Sequence, residues 1–110
     1  MNNNLNLKSE FIPLAAEILK TLGHPLRLRI FEALSSGEKS VTELQNILGV
    51  QQSVVSHQLK ILKSGGVISF KKDGTLSIYF VAMPELKNLL DCMFKCQLKL
   101  IDKFSPDRSK

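Results

Sequence analysis

A mostly α-helical fold carrying one small β-hairpin, in the order α-α-α-α-β-β-α, follows from three observations on these 110 residues. Apolar residues recur at helical spacing over most of the chain. A glycine separates two short amphipathic stretches between Val41 and Lys63, and strict alternation from Val67 to Phe80 is interrupted once, by Asp73-Gly74. Two short helices joined by a tight turn and followed by a hairpin make a helix-turn-helix with a wing. A chain of this length encloses one modest core. The domain is expected over residues 11–104, between a disordered Asn-rich arm, 1–10, and a flexible tail, 105–110, that has nothing to bury.

The elements follow in order. An amphipathic helix is expected from about Ile12 to Leu22. His24-Pro25 then opens a second helix, Leu26 to Leu34, because proline's missing N–H costs nothing in a first turn. Ser40 and Thr42 stand ahead of Glu43, so a hydroxyl can cap a third helix whose apolar stripe is Val41, Leu44, Ile47 and Leu48. Gly49 supplies the left-handed residue that ends it, and Val50 is buried in the turn. A fourth helix directs Val54, Val55, Leu59, Ile61 and Leu62 inward. The hairpin turns at Asp73-Gly74. A last helix, Pro84 to Phe104, carries Leu86, Leu89, Leu90, Met93, Phe94, Leu98, Ile101 and Phe104, an apolar face too wide for a lone surface helix. It is expected to pack, with the first helix, against a second copy of the chain, with Leu86, Leu89, Leu90, Met93 and Phe94 in the seam.

The outward face of the fourth helix then consists of Gln51, Gln52, Ser53, Ser56, His57 and Lys60, with Lys63 at its end, and no Asp or Glu occurs between Gln45 and Lys72. A polyanion approaching this stretch meets no carboxylate from it. Gln, Ser and His can address base edges, Lys60 and Lys63 can neutralise phosphates, and Lys71 and Lys72 at the hairpin tip suit phosphate or minor-groove contact. Double-stranded DNA is the expected partner. The formal net charge of +5 and isoelectric point near 9.4 agree, although basic residues near the end of the chain inflate that balance. No apolar run reaches the roughly 18 residues a membrane span requires, and the opening MNNNLNLKSE lacks the regions of a signal peptide, so a cytoplasmic location without membrane attachment is expected.

The run TLGHPLRLRIFEALSSGEKSVTELQNILGVQQSVVSHQLKILKSGGVISFKKDGTLSIYF resembles the ArsR/SmtB family of bacterial winged-helix repressors, in its GHPLRLRI opening, its SVVSHQLKIL recognition helix and its GGVISFKKDGTLSIYF wing. The resemblance extends from about Leu14 to Phe104. It implies a cytoplasmic homodimer that binds an imperfect palindrome over a promoter and leaves it when an inducer, often a metal ion, is sensed. Two departures accompany it. Where metal sensors of the family carry Cys-Val-Cys, this chain reads Ser40-Val41-Thr42-Glu43-Leu44, and its terminal helix has no histidine, leaving Asp91 and Asp102, which are ordinary on a solvated face.

Cys92 and Cys96 lie four apart on one helical face. Three readings stay open: small apolar fillers of a dimer seam, a site for a thiophilic metal or metalloid, or a redox-sensing pair. Two thiols fall short of the usual three or four ligands, and the geometry resists a disulfide within one regular helix. His24 is expected to cap or pack at its helix start and His57 to lie on the DNA face. Neither has the acidic neighbours of a metal site or a catalytic triad. Three function classes therefore compete: a dimeric promoter-binding repressor, which the residues favour, a winged-helix module that binds another protein, and a small thiol enzyme, for which no oxyanion turn is legible. No catalytic residue is expected.

Overall fold

The structure, a computed structural model, describes residues 3–104. Of the expected tail, 105–110 lies outside the described residues, as do the side chains of Leu98 and Phe104. The chain runs α1 (Asn3–Leu22), α2 (Pro25–Ser35), β1 (Lys39–Ser40), α3 (Val41–Leu48), α4 (Gln52–Ser64), β2 (Ile68–Asp73), β3 (Leu76–Val81), α5 (Leu86–Lys95) and α6 (Gln97–Phe104). The three strands form an antiparallel sheet in the order β1-β3-β2.

Local chemistry accounts for most boundaries. His24, in extended conformation, caps α2 by accepting the Leu26 amide on Nδ1 at 3.1 Å, with Pro25 in the first turn. Ser40 and Glu43 form a reciprocal capping box on α3: the Glu43 amide donates to Ser40 Oγ at 3.2 Å and the Ser40 amide to Glu43 Oε1 at 2.9 Å. Gly49, at φ 70°, closes α3 and donates its amide to the Gln45 carbonyl at 2.8 Å. The helices meet around Ile30, Phe31, Leu44, Val55, Leu59 and Leu62, and Val67 and Ile68 bring the start of the hairpin onto the same core.

Six features depart from the sequence expectations. α1 begins at Asn3, so described residues of the segment expected to be a disordered arm are helical; once a turn exists, each added residue gains a hydrogen bond, and Leu, Lys and Glu are good helix formers. β1 is absent from the expected order because two residues become a strand only by pairing Lys39 with Tyr79 and Ser40 with Ile78. Ile47 is 49% exposed: it lies about 60° round the helix from Leu44, on the side away from Val41 and Leu48. The two-residue hairpin loop is Gly74-Thr75 rather than Asp73-Gly74, since Asp73 pairs with Leu76. The terminal helix is two helices broken at Cys96, whose amide is shared between the Cys92 and Met93 carbonyls at 3.2 and 3.1 Å. Val50 is half-buried rather than buried.

Candidate nucleic-acid interface

The second helix of the helix-turn-helix, α4, is held by its apolar residues. Val55, Leu59 and Leu62 are buried and Val54 and Ile61 half-buried, so the opposite side is fixed as the outward one. Gln51, Gln52, Ser53, Ser56, His57, Lys60 and Lys63 are all exposed there, and Lys71 and Lys72 are exposed on the wing. Gln51 stands at the N-cap without a side-chain cap bond. The Val54 and Val55 amides donate to the Gln51 carbonyl at 3.1 and 3.2 Å, which leaves those of Gln52 and Ser53 for an outside acceptor at the positive end of the helix dipole. Polar donors, lysines and a helix N-terminus thus share the outward side of α4.

One polar residue of α4 faces the other way. Gln58 is 9% exposed, and its Oε1 accepts from Arg27 Nη1 at 2.9 Å while Arg27 Nε donates to the Thr21 carbonyl at 2.6 Å. The guanidinium of α2 therefore ties the last turn of α1 to α4. The sequence pattern leaves Gln58 off the outward face but does not supply its partner, which lies 31 residues earlier.

Two of the basic residues are engaged within the chain. Lys63 Nζ lies 4.3 Å from the centroid of the Phe70 ring, which itself packs on Tyr79 at 5.5 Å across the hairpin. Lys71 Nζ is 3.1 Å from Glu38 Oε2. The acid-free stretch from Gln45 to Lys72 is thus not an acid-free surface: Glu38 reaches the wing from the loop before β1.

The first and last helices leave large apolar side chains bare in the single chain. Phe11, Ile12, Leu14 and Leu19 on α1, Leu89, Met93 and Phe94 on α5 and Ile101 on α6 are exposed. Leu86 and Leu90 differ from the other expected seam residues, because both are half-buried against the chain's own core. Cys92 and Cys96 are free thiols, both exposed, one turn apart. Among the described residues no group of three or more His, Cys, Asp or Glu could hold a metal ion, and the pair by itself falls short of a complete zinc-type donor set. No helix among the described residues is long and apolar enough to cross a membrane.

A helix-turn-helix whose second helix leaves its polar side to solvent, followed in the chain by a basic hairpin, defines a winged helix-turn-helix protein. Comparison with known proteins narrows this. Residues 24–69 match the family described as bacterial regulatory protein, arsR family. The HTH-type transcriptional regulator Rv0081 of Mycobacterium tuberculosis is 42% identical over 78 residues, 70% of this chain and 68% of that protein. Its crystal structure superimposes with a TM-score of 0.72 at 36% identity, covering 84% of this chain and 94% of that one. The biofilm growth-associated repressor of Xylella fastidiosa is 32% identical over 79 residues, 72% of this chain and 69% of the repressor. A homodimeric winged helix-turn-helix DNA-binding domain from Mycobacterium bovis matches with a TM-score of 0.74 at 27% identity, covering 84% and 89% of the two chains. The chain belongs to the ArsR family of transcriptional regulators.

Proposed function

We propose that the chain is a cytoplasmic homodimeric repressor that binds a palindromic operator in double-stranded DNA, releases it on sensing an inducer, and catalyses no reaction. One observation carries the reading: α4 buries its apolar side chains and leaves Gln51, Gln52, Ser53, Ser56, His57, Lys60 and Lys63 to solvent beside a wing bearing Lys71 and Lys72. The bare apolar residues of α1, α5 and α6 supply the second requirement, a self-complementary surface. A two-fold dimer through these helices presents two α4 helices to successive major grooves, about 34 Å apart. The named relatives support it: one is a repressor and another a homodimeric DNA-binding domain.

Gel-shift titration against the DNA upstream of the protein's own gene tests the reading. Lys60→Ala should weaken binding to every sequence and flatten the salt dependence by about one unit of slope, the share of one phosphate contact. Gln52→Ala or Ser56→Ala should instead relax sequence preference, at about 1–3 kcal/mol for each side chain that reads a base edge. Failure of the protein to shift any duplex at low ionic strength would leave the protein-binding alternative in its place.

Cys92 and Cys96 are where a thiophilic metal, a metalloid or an oxidant would act as inducer, with further ligands for a metal coming from the partner copy. An inducer acts only through a difference in affinity between the DNA-bound and DNA-free dimers. Operator release by zinc, arsenite or peroxide should therefore disappear in the Cys92→Ser, Cys96→Ser double variant while basal affinity stays the same. An unchanged response in that variant would place the sensor elsewhere.

A further inference from the structure

We infer that Glu38 is a built-in competitor for the wing: its carboxylate occupies Lys71 where a DNA phosphate would bind, and so limits how tightly the wing engages DNA. The inference rests on the DNA-binding reading above and adds a residue to it. The short strand β1 creates the contact. Ser40 on β1 and Lys71 on β2 both pair with Ile78, from opposite edges of β3, and Glu38 stands two residues before Ser40. From there its Oε2 reaches Lys71 Nζ at 3.1 Å, with 56% of the lysine side chain and 51% of the glutamate side chain still exposed. Lys72, the next residue, has no ion-pair partner among the described residues.

The two wing lysines are therefore electrostatically unlike. Lys72 meets a phosphate as a net cation. Lys71 arrives as half of a neutral pair, so it displaces little of the counterion atmosphere on DNA, and a phosphate that takes it must part it from a carboxylate that then repels the backbone. Because the pair is half exposed, the competition is modest and depends on salt.

Fluorescence anisotropy on a duplex of unrelated sequence, roughly 30 base pairs or three helical turns long, measures the effect without knowledge of the operator. Between about 50 and 200 mM salt, Glu38→Gln should bind about two- to fivefold more tightly than wild type at the low end and steepen the slope of log affinity against log salt by close to 0.9. Lys71→Gln should cost little in the wild-type background and distinctly more in the Glu38→Gln background, whereas Lys72→Gln should cost the same in both. Equal or weaker binding by Glu38→Gln, with an unchanged slope and an unchanged melting curve, would overturn the inference and leave the DNA-binding reading intact. Wild-type protein that ignores the duplex at the lowest salt would overturn both.

Discussion

Phe94→Asp should convert the proposed dimer to a folded monomer and weaken operator binding by about 100-fold or more, the scale on which two linked half-sites outperform one. Phe94 is 68% exposed in the single chain, so aspartate there disturbs little internal packing. In a two-fold dimer one substitution enters the seam twice and sets unpaired carboxylates against apolar surface from the other copy. Phe11→Asp on α1, where the parent residue is 60% exposed, should act in the same direction if both helices share the seam. Leu90→Asp is a poorer probe, because Leu90 is half-buried against the chain's own core and its loss would unfold as well as dissociate. Light scattering for mass, circular dichroism for fold and anisotropy for affinity decide the matter. A monomeric Phe94→Asp protein that binds the operator as wild type does would refute the coupling of dimer to function.

Residues that act over three or four positions are legible in the sequence. The Ser40 to Glu43 capping box, the His24-Pro25 helix start, the left-handed Gly49 and the apolar stripe of α4 all declare themselves within one turn, and they suffice to place α4 and fix its outward face. Features that depend on a distant partner are not. β1 exists because β3 lies beside it, Gln58 turns inward because Arg27 receives it, and Lys71 meets a carboxylate that lies 33 residues earlier. The division of the seam follows the same logic: periodicity groups Leu86 and Leu90 with Met93 and Phe94, and only the packed core separates the first two from the others. The break at Cys96 carries no proline or glycine that could have announced it.

The paired glycines after α4 illustrate how one sequence signal conceals two physical demands. Gly66 sits at φ 79° and lets the Val67 amide return to the Leu62 carbonyl at 3.2 Å, so its requirement is conformational. Gly65 has φ −79° and ψ −2°, which any residue can adopt. Its requirement is space: a Cβ there would lie 2.6 Å from Thr21 Oγ1 and 2.7 Å from Thr21 Cγ2. Thr21 cannot easily yield. Its side chain is β-branched, its hydroxyl donates to the Glu17 carbonyl at 2.8 Å, its own carbonyl accepts Arg27 Nε, and the adjacent Leu22 is buried. Gly65→Ala should therefore destabilise the fold by about 2–3 kcal/mol, the upper part of the overpacking range, by pushing the end of α1 off the end of α4. Because Arg27 ties those same two helices together, the variant should also lose DNA affinity beyond its loss of folded protein. Adding Thr21→Ala removes both colliding atoms and leaves a tight approach at 3.1 Å, so the double variant should recover more than half of the lost stability. Gly66→Ala, at about 1 kcal/mol, should gain nothing from the same second change, since its cost lies in the backbone. Urea melts of the four variants distinguish the two mechanisms, and equal rescue of both glycine substitutions by Thr21→Ala would show that close approach of α1 is not what Gly65 serves.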